Sequence, residues 1–159
     1  MAEKILVALL HGIGDSLMAA PALQALKEKH PRSTLTAMTI KQPVFNDLWK
    51  HQPCVDDVLF SSLDYNPRYG SPFFWVGDYW RIKSDIKNAV KRYGFTQTYF
   101  VTLITMPSKV YEHIDIQRYR EHKTLKIARE LGVELGNNRY TFRYGDEDRK
   151  WVRMFLSEH

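Results

Sequence analysis

Six apolar residues in succession, Ile5 to Leu10, run into His11-Gly12-Ile13-Gly14-Asp15 and then into Ser16-Leu17-Met18-Ala19-Ala20. An uninterrupted apolar run of this length fits a parallel strand covered on both faces better than an alternating surface strand. Gly12 and Gly14 allow backbone angles and close approaches that a side chain would block. The small and apolar residues after Asp15 predict a helix, so the segment reads as strand, glycine loop, helix start. In open α/β sheets ligands bind beyond the carboxyl ends of the strands, which makes this loop the floor of an expected cleft. Asp15 has two roles open to it here. It can cap the free N–H groups of the helix that follows, or it can act chemically.

Apolar runs and helical patterns alternate along the rest of the chain. Further strands are expected at 34–40, 55–61 and 96–104, with a short one at 140–144. A short helix is expected at 44–51. Another is expected to start with Asp78 as its cap and to carry Tyr79, Ile82, Ile86, Ala89, Val90 and Tyr93 at helical spacing, stopping at Gly94. Residues 120–131 predict a helix with Leu125, Ala128 and Leu131 on one face and Gly132 as terminator. A last helix is expected from Asp146, with Trp151, Val152, Phe155 and Leu156 as its stripe. Pro21 falls inside the first helix, where it cannot donate to the carbonyl of Leu17. The fold class expected is α/β: a Rossmann-like three-layer αβα arrangement around a mostly parallel sheet, forming one domain over 1–159.

One cysteine, Cys54, rules out an intramolecular disulfide and suits a reducing compartment. The amino-terminal apolar run is far shorter than a membrane span, so a cytoplasmic location is expected. Twenty-three basic residues against 18 acidic ones give a net charge of +5, which favours anionic partners. No nucleic-acid motif and no dense basic run accompany that charge, so nucleic acid is not the expected partner. The histidines are dispersed, with no His-Glu-x-x-His and no paired cysteines, and no metal site is expected. A dinucleotide fingerprint would need a third glycine where Leu17 stands, so no nicotinamide cofactor, or any other, is expected.

Together with the Gly-Asp loop, the stretch Ala19-Ala20-Pro21-Ala22-Leu23-Gln24-Ala25-Leu26-Lys27, then Pro31 and the 35–40 strand, resembles the N-terminal domain of the heptosyltransferase family, also called glycosyltransferase family nine. The similarity continues at His122-Lys123-Thr124, at Arg129-Glu130-Leu131-Gly132-Val133 and at Asp146-Glu147-Asp148, while 47–109 matches little. The resemblance implies the N-terminal half of a glycosyltransferase B fold, which holds the acceptor. A C-terminal donor-binding domain would be absent from this chain, leaving the isolated chain inactive. It implies transfer of heptose from ADP-heptose to an anionic glycolipid, the inner core of lipopolysaccharide, with peripheral contact at the cytoplasmic face of the inner membrane. A stand-alone module that binds phosphorylated sugars or a nucleotide without chemistry is the alternative.

By the same resemblance Asp15 is the general base. It would take the proton of an acceptor hydroxyl as that oxygen attacks the anomeric carbon. The field of a helix N-terminus favours the charged carboxylate and weakens it as a base, and loss of water on cleft closure opposes this. The loop residues Gly12, Ile13 and Gly14 are expected to line the acceptor site, with His11, Ser16 and Lys109 as accessory residues. Two decorated loops are expected after strand ends. One, 62–77, holds Tyr65, Tyr69, Phe73, Phe74 and Trp75, whose rings suit sugar stacking or a lipid interface. The other spans 106–119. Arg68, Arg118 and Arg120 are the expected partners of acceptor phosphates and carboxylates, because guanidinium forks bind such groups in bidentate fashion.

Overall fold

The computed structural model describes residues 3–10, 13–64, 72–101, 123–136 and 145–157. Strand β1 (Lys4–Leu9) leads to helix α1 (Ile13–Lys29), β2 (Thr34–Lys41), α2 (Pro43–Lys50) and β3 (Asp57–Asp64). Helix α3 (Pro72–Tyr93), β4 (Gln97–Phe100), α4 (Lys123–Glu130) and α5 (Asp146–Ser157) follow. The four strands form a parallel sheet in the order β3-β2-β1-β4. This is the Rossmann-like α/β arrangement that the alternation of elements predicts.

Because successive side chains on a strand point to opposite faces, the unbroken apolar run of β1 feeds two cores at once. Ile5, Val7 and Leu9 pack with Ala19, Ala22, Leu23 and Leu26 of α1 and with Ile127 and Ala128 of α4. Leu6, Ala8 and Leu10 pack on the other face with Ile82 and Ala89 of α3. Every residue of this run is at most 5% exposed, so β1 is covered on both faces. Alanines on the buried face of α1 let its backbone lie close to the sheet. Helix α2 contributes one large residue to each core, Trp49 to the first and Phe45 to the second.

Helix ends follow the glycines. Gly132 has a φ of 64°, and the amides of Gly132 and Val133 donate to the carbonyls of Arg129 (3.1 Å) and Ala128 (2.9 Å), which is the Schellman closure of α4. Gly94, at φ 68°, donates to Val90 O at 2.9 Å and ends α3.

Several expectations are corrected. Helix α1 begins at Ile13, so Asp15 is its third residue rather than a cap ahead of it. Pro21 lies inside the helix, as the sequence predicts. Helix α3 begins at Pro72, so Asp78 lies inside it and the expected 62–77 loop is partly strand and partly helix. A proline at the first helical position has no intrahelical donor to lose, which is why Pro72 starts this helix. Strand β3 starts at Asp57, because Val55 is held in a turn by its N–H donating to Gln52 O at 3.1 Å. In α4 Leu125 is 43% exposed, and the buried face is formed by Thr124, Ile127, Ala128 and the following Leu131. The expected strand at 140–144 lies outside the described residues.

Candidate active site at the carboxyl edge of the sheet

Strands β1, β2 and β3 advance to one side, and β4 then returns to pair on the other side of β1. The strand order therefore reverses at β1, and the carboxyl ends of β1 and β4 flank the position where sheets of this class open a ligand crevice. Ala8 pairs with Phe100 in register, and the N–H of Val101 donates to Ala8 O at 3.1 Å, so the two strand ends are held together at that point.

Helix α1 leaves from this edge. Its first turn, Ile13 to Ser16, has backbone N–H groups with no partner inside the helix, and it brings the partial positive end of a 17-residue helix beside the crevice. The backbone thus brings Ile13, Gly14, Asp15 and Ser16 together. Ser16 is 1% exposed, and its Oγ has no hydrogen-bond partner among the described residues. Thr39, opposite Leu9 in the β2 register, is also fully buried with an unpartnered Oγ1. Buried polar atoms without partners are uncommon, and two lie in elements that end or begin at this edge. His11, Gly12, Arg68, Lys109, Arg118 and Arg120 lie outside the described residues.

The opposite edge is built for stability. Lys4 Nζ donates to Tyr93 O at 3.0 Å, which fixes the end of α3 against the start of β1. Glu3 pairs with His30 at 2.8 Å and accepts from Gln97 Nε2 at 2.5 Å. Asp56 Oδ2 accepts from Leu35 N at 2.7 Å and Lys27 Nζ at 2.6 Å, tying β2, α1 and the approach to β3 together. Sequence reasoning missed a cleft of about 190 Å³ near this end, lined by Met38, Phe60, Asp85, Asn88, Arg92 and Tyr93. Its residues come from the middle of two strands and the last turns of α3, a combination that no local pattern announces.

Cys54 is not available as a nucleophile. It is 5% exposed, and burial is the main cause that raises its thiol from about 9 to about 11. The native protein is expected not to react with thiol reagents at neutral pH, while the denatured chain reacts readily. Because the folded thiol holds its proton more tightly than the unfolded one, its contribution to stability is complete below about pH 9 and is lost as the pH rises to about 11. Denaturation midpoints across that window check the sign, with Cys54→Ala as the reference that lacks the effect.

Among the described residues no group of three His, Cys, Asp or Glu could hold a metal ion, and no helix is long and apolar enough to cross a membrane. Sequence comparison finds no matching family profile and no matching curated relative. In three dimensions the chain is similar to the crystal structure of a glycosyl transferase family 9 protein from Veillonella parvula, with a TM-score of 0.58 and 17% identity over 99% of this chain. The alignment covers 49% of that protein, so this chain spans about half its length. The likeness establishes the fold: a Rossmann-like α/β unit of the kind found within that glycosyltransferase.

Proposed function

We propose that this chain is the acceptor-binding half of an inverting glycosyltransferase, which acts with a donor-binding half to move a heptose or related sugar from a nucleotide sugar to an anionic glycolipid. The observation that carries the reading is the position of Asp15, in the first turn of α1 at the strand-order reversal of a sheet that resembles half of a family 9 enzyme. ADP-heptose as donor and the lipopolysaccharide inner core as acceptor follow from the resemblance of the Gly-Asp loop and its Ala-Pro-Ala-Leu context.

The chemistry is a single displacement. An acceptor hydroxyl loses its proton to the Asp15 carboxylate as its oxygen bonds to the anomeric carbon. The bond from that carbon to the diphosphate oxygen breaks on the opposite face, and the nucleoside diphosphate leaves with the electron pair. Configuration inverts. The sugar passes through an oxocarbenium-like state, which a nearby carboxylate stabilises electrostatically. Arg68, Arg118 and Arg120 bind the acceptor's anionic groups, Lys109 and His11 assist, and Gly12 to Gly14 let the acceptor approach the backbone. The site needs no metal or cofactor in this scheme, because a carboxylate base and a diphosphate leaving group suffice. The test is sugar transfer by a protein carrying both halves, with and without the Asp15 carboxylate.

A further inference from the structure

The cleft of about 190 Å³ beside the last turns of α3 lies on the face of the sheet opposite α1 and takes no part in the proposed transfer chemistry. Its floor is apolar: Met38 and Ala89 are buried members of the core on the α3 side, and Leu59 packs against that core. Its walls carry polar groups. Asp85, Asn88 and Arg92 stand at i, i+3 and i+7 of α3, so helical periodicity lines them up with Asn88 about one turn from each of the others. Phe60 from β3 and Tyr93 from the end of α3 add two partly exposed rings, at 45% and 39%.

Both charged groups are held in place. The Arg92 guanidinium lies 5.2 Å over the Tyr93 ring, and Tyr93 in turn meets Phe95 at 6.1 Å between ring centres, with Phe95 packed on the core. Stacking occupies one face of the guanidinium and leaves its in-plane N–H groups, which have no hydrogen-bond partner among the described residues. Asp85 Oδ2 accepts from Ser62 N at 2.7 Å and Ser62 Oγ at 3.0 Å, which fixes the carboxylate and leaves Oδ1 for another donor. The cleft is therefore polar along its length, with an acid at one end and a braced cation at the other. Their backbone positions are about 10 Å apart along the helix axis.

We propose that this cleft binds a small aromatic carboxylate whose ring carries a hydroxyl or amino group opposite the acid. The carboxylate takes the paired N–H groups of Arg92, the ring lies on the apolar floor against Phe60, and the far donor meets Asp85 Oδ1. The volume agrees: a cavity of about 150 Å³ holds one benzene molecule, so this cleft has room for one ring and its substituents. A bare inorganic anion would use Arg92 and leave the apolar floor uncovered, and a cationic ring would satisfy Asp85 only by facing Arg92.

Titration of the isotopically labelled chain with 4-hydroxybenzoate, read by its amide shifts, tests the proposal. The expected result is saturable shifts at Phe60, Asn88 and Arg92 with a Kd of about 1 mM or tighter, and none at Gly14 to Ser16. 4-Hydroxybenzamide, which keeps the ring and loses the charge, and benzoate, which loses the far donor, should both bind more weakly. Arg92→Gln should weaken 4-hydroxybenzoate by about tenfold or more. Arg92→Lys should restore little of that loss, because an ammonium group cannot bond in bidentate fashion. Arg92 is exposed, so both variants are expected to melt as the wild type does. Absence of saturable shifts in the wild type, equal binding of the neutral amide, or undiminished binding by Arg92→Gln overturns the proposal. The assay contains no sugar donor or acceptor, so its failure leaves the transfer reading standing, and failure of transfer leaves this one.

Discussion

Asp15→Asn, introduced into a protein that carries both halves, is expected to lower the rate of sugar transfer by about a hundred- to ten-thousandfold, the range that a positioned general base supplies. The amide has nearly the same shape as the carboxylate and can still accept a hydrogen bond, so binding of the acceptor should change far less than turnover. It cannot take the proton. Asp15 is the third residue of α1, where a negative charge interacts favourably with the helix N-terminus, and losing that charge costs about 0.3–1 kcal/mol of stability. A denaturation midpoint close to the wild-type value, together with the rate loss, separates chemistry from folding. An unchanged rate in a folded variant removes Asp15 as the base.

The second large effect is on stability. Trp49→Ala is expected to destabilise the fold by about 3–5 kcal/mol, a large part of the roughly 5–15 kcal/mol that holds a domain together. Trp49 is fully buried and sits in the same core as Ala37, Cys54 and Val55, and it joins the end of α2 to the sheet. Truncation leaves a cavity that rigid neighbours on β2 cannot fill. Trp49→Phe should cost much less than its loss of volume suggests, because the indole N–H it removes has no hydrogen-bond partner among the described residues. Urea midpoints at unchanged slope measure both substitutions. Equal losses for Ala and Phe would show that the N–H, not the volume, matters at this site.

Much of the fold was legible because single residues carry unambiguous physical signals. The six-residue apolar run fits a strand buried on both faces, and its first five residues lie in β1, an interior strand between β2 and β4. Gly94 and Gly132 mark helix ends because both adopt positive φ. Where the signal was divided, the sequence misled. Pro72 and Gly77 look like loop punctuation, yet a proline is compatible with a first helical turn, and the helix runs on through Gly77. In α4 the stripes through Leu125 and through Ile127 share Ala128 and Leu131, and only packing against α1 decides that Ile127 is inside.

The candidate site is legible to a different degree. A glycine loop between strand and helix is a local pattern, and the topology puts that helix start at the reversal of strand order. Whether the acid caps or reacts depends on what crosses the crevice, which no local pattern encodes. The arginines Arg68, Arg118 and Arg120 rest on charge and loop position, signals that fix a residue's chemistry without fixing its place.

The most direct test of the central claim, that the start of α1 is an acceptor site, is an NMR titration of the isotopically labelled 159-residue chain. A phosphorylated inner-core fragment is added in one series and ADP-heptose in another. The account predicts that the fragment shifts the backbone amides of Gly14, Asp15 and Ser16 while the nucleotide sugar leaves them in place. Shifts of those amides by ADP-heptose alone, or a fragment that perturbs only residues remote from α1, would contradict it.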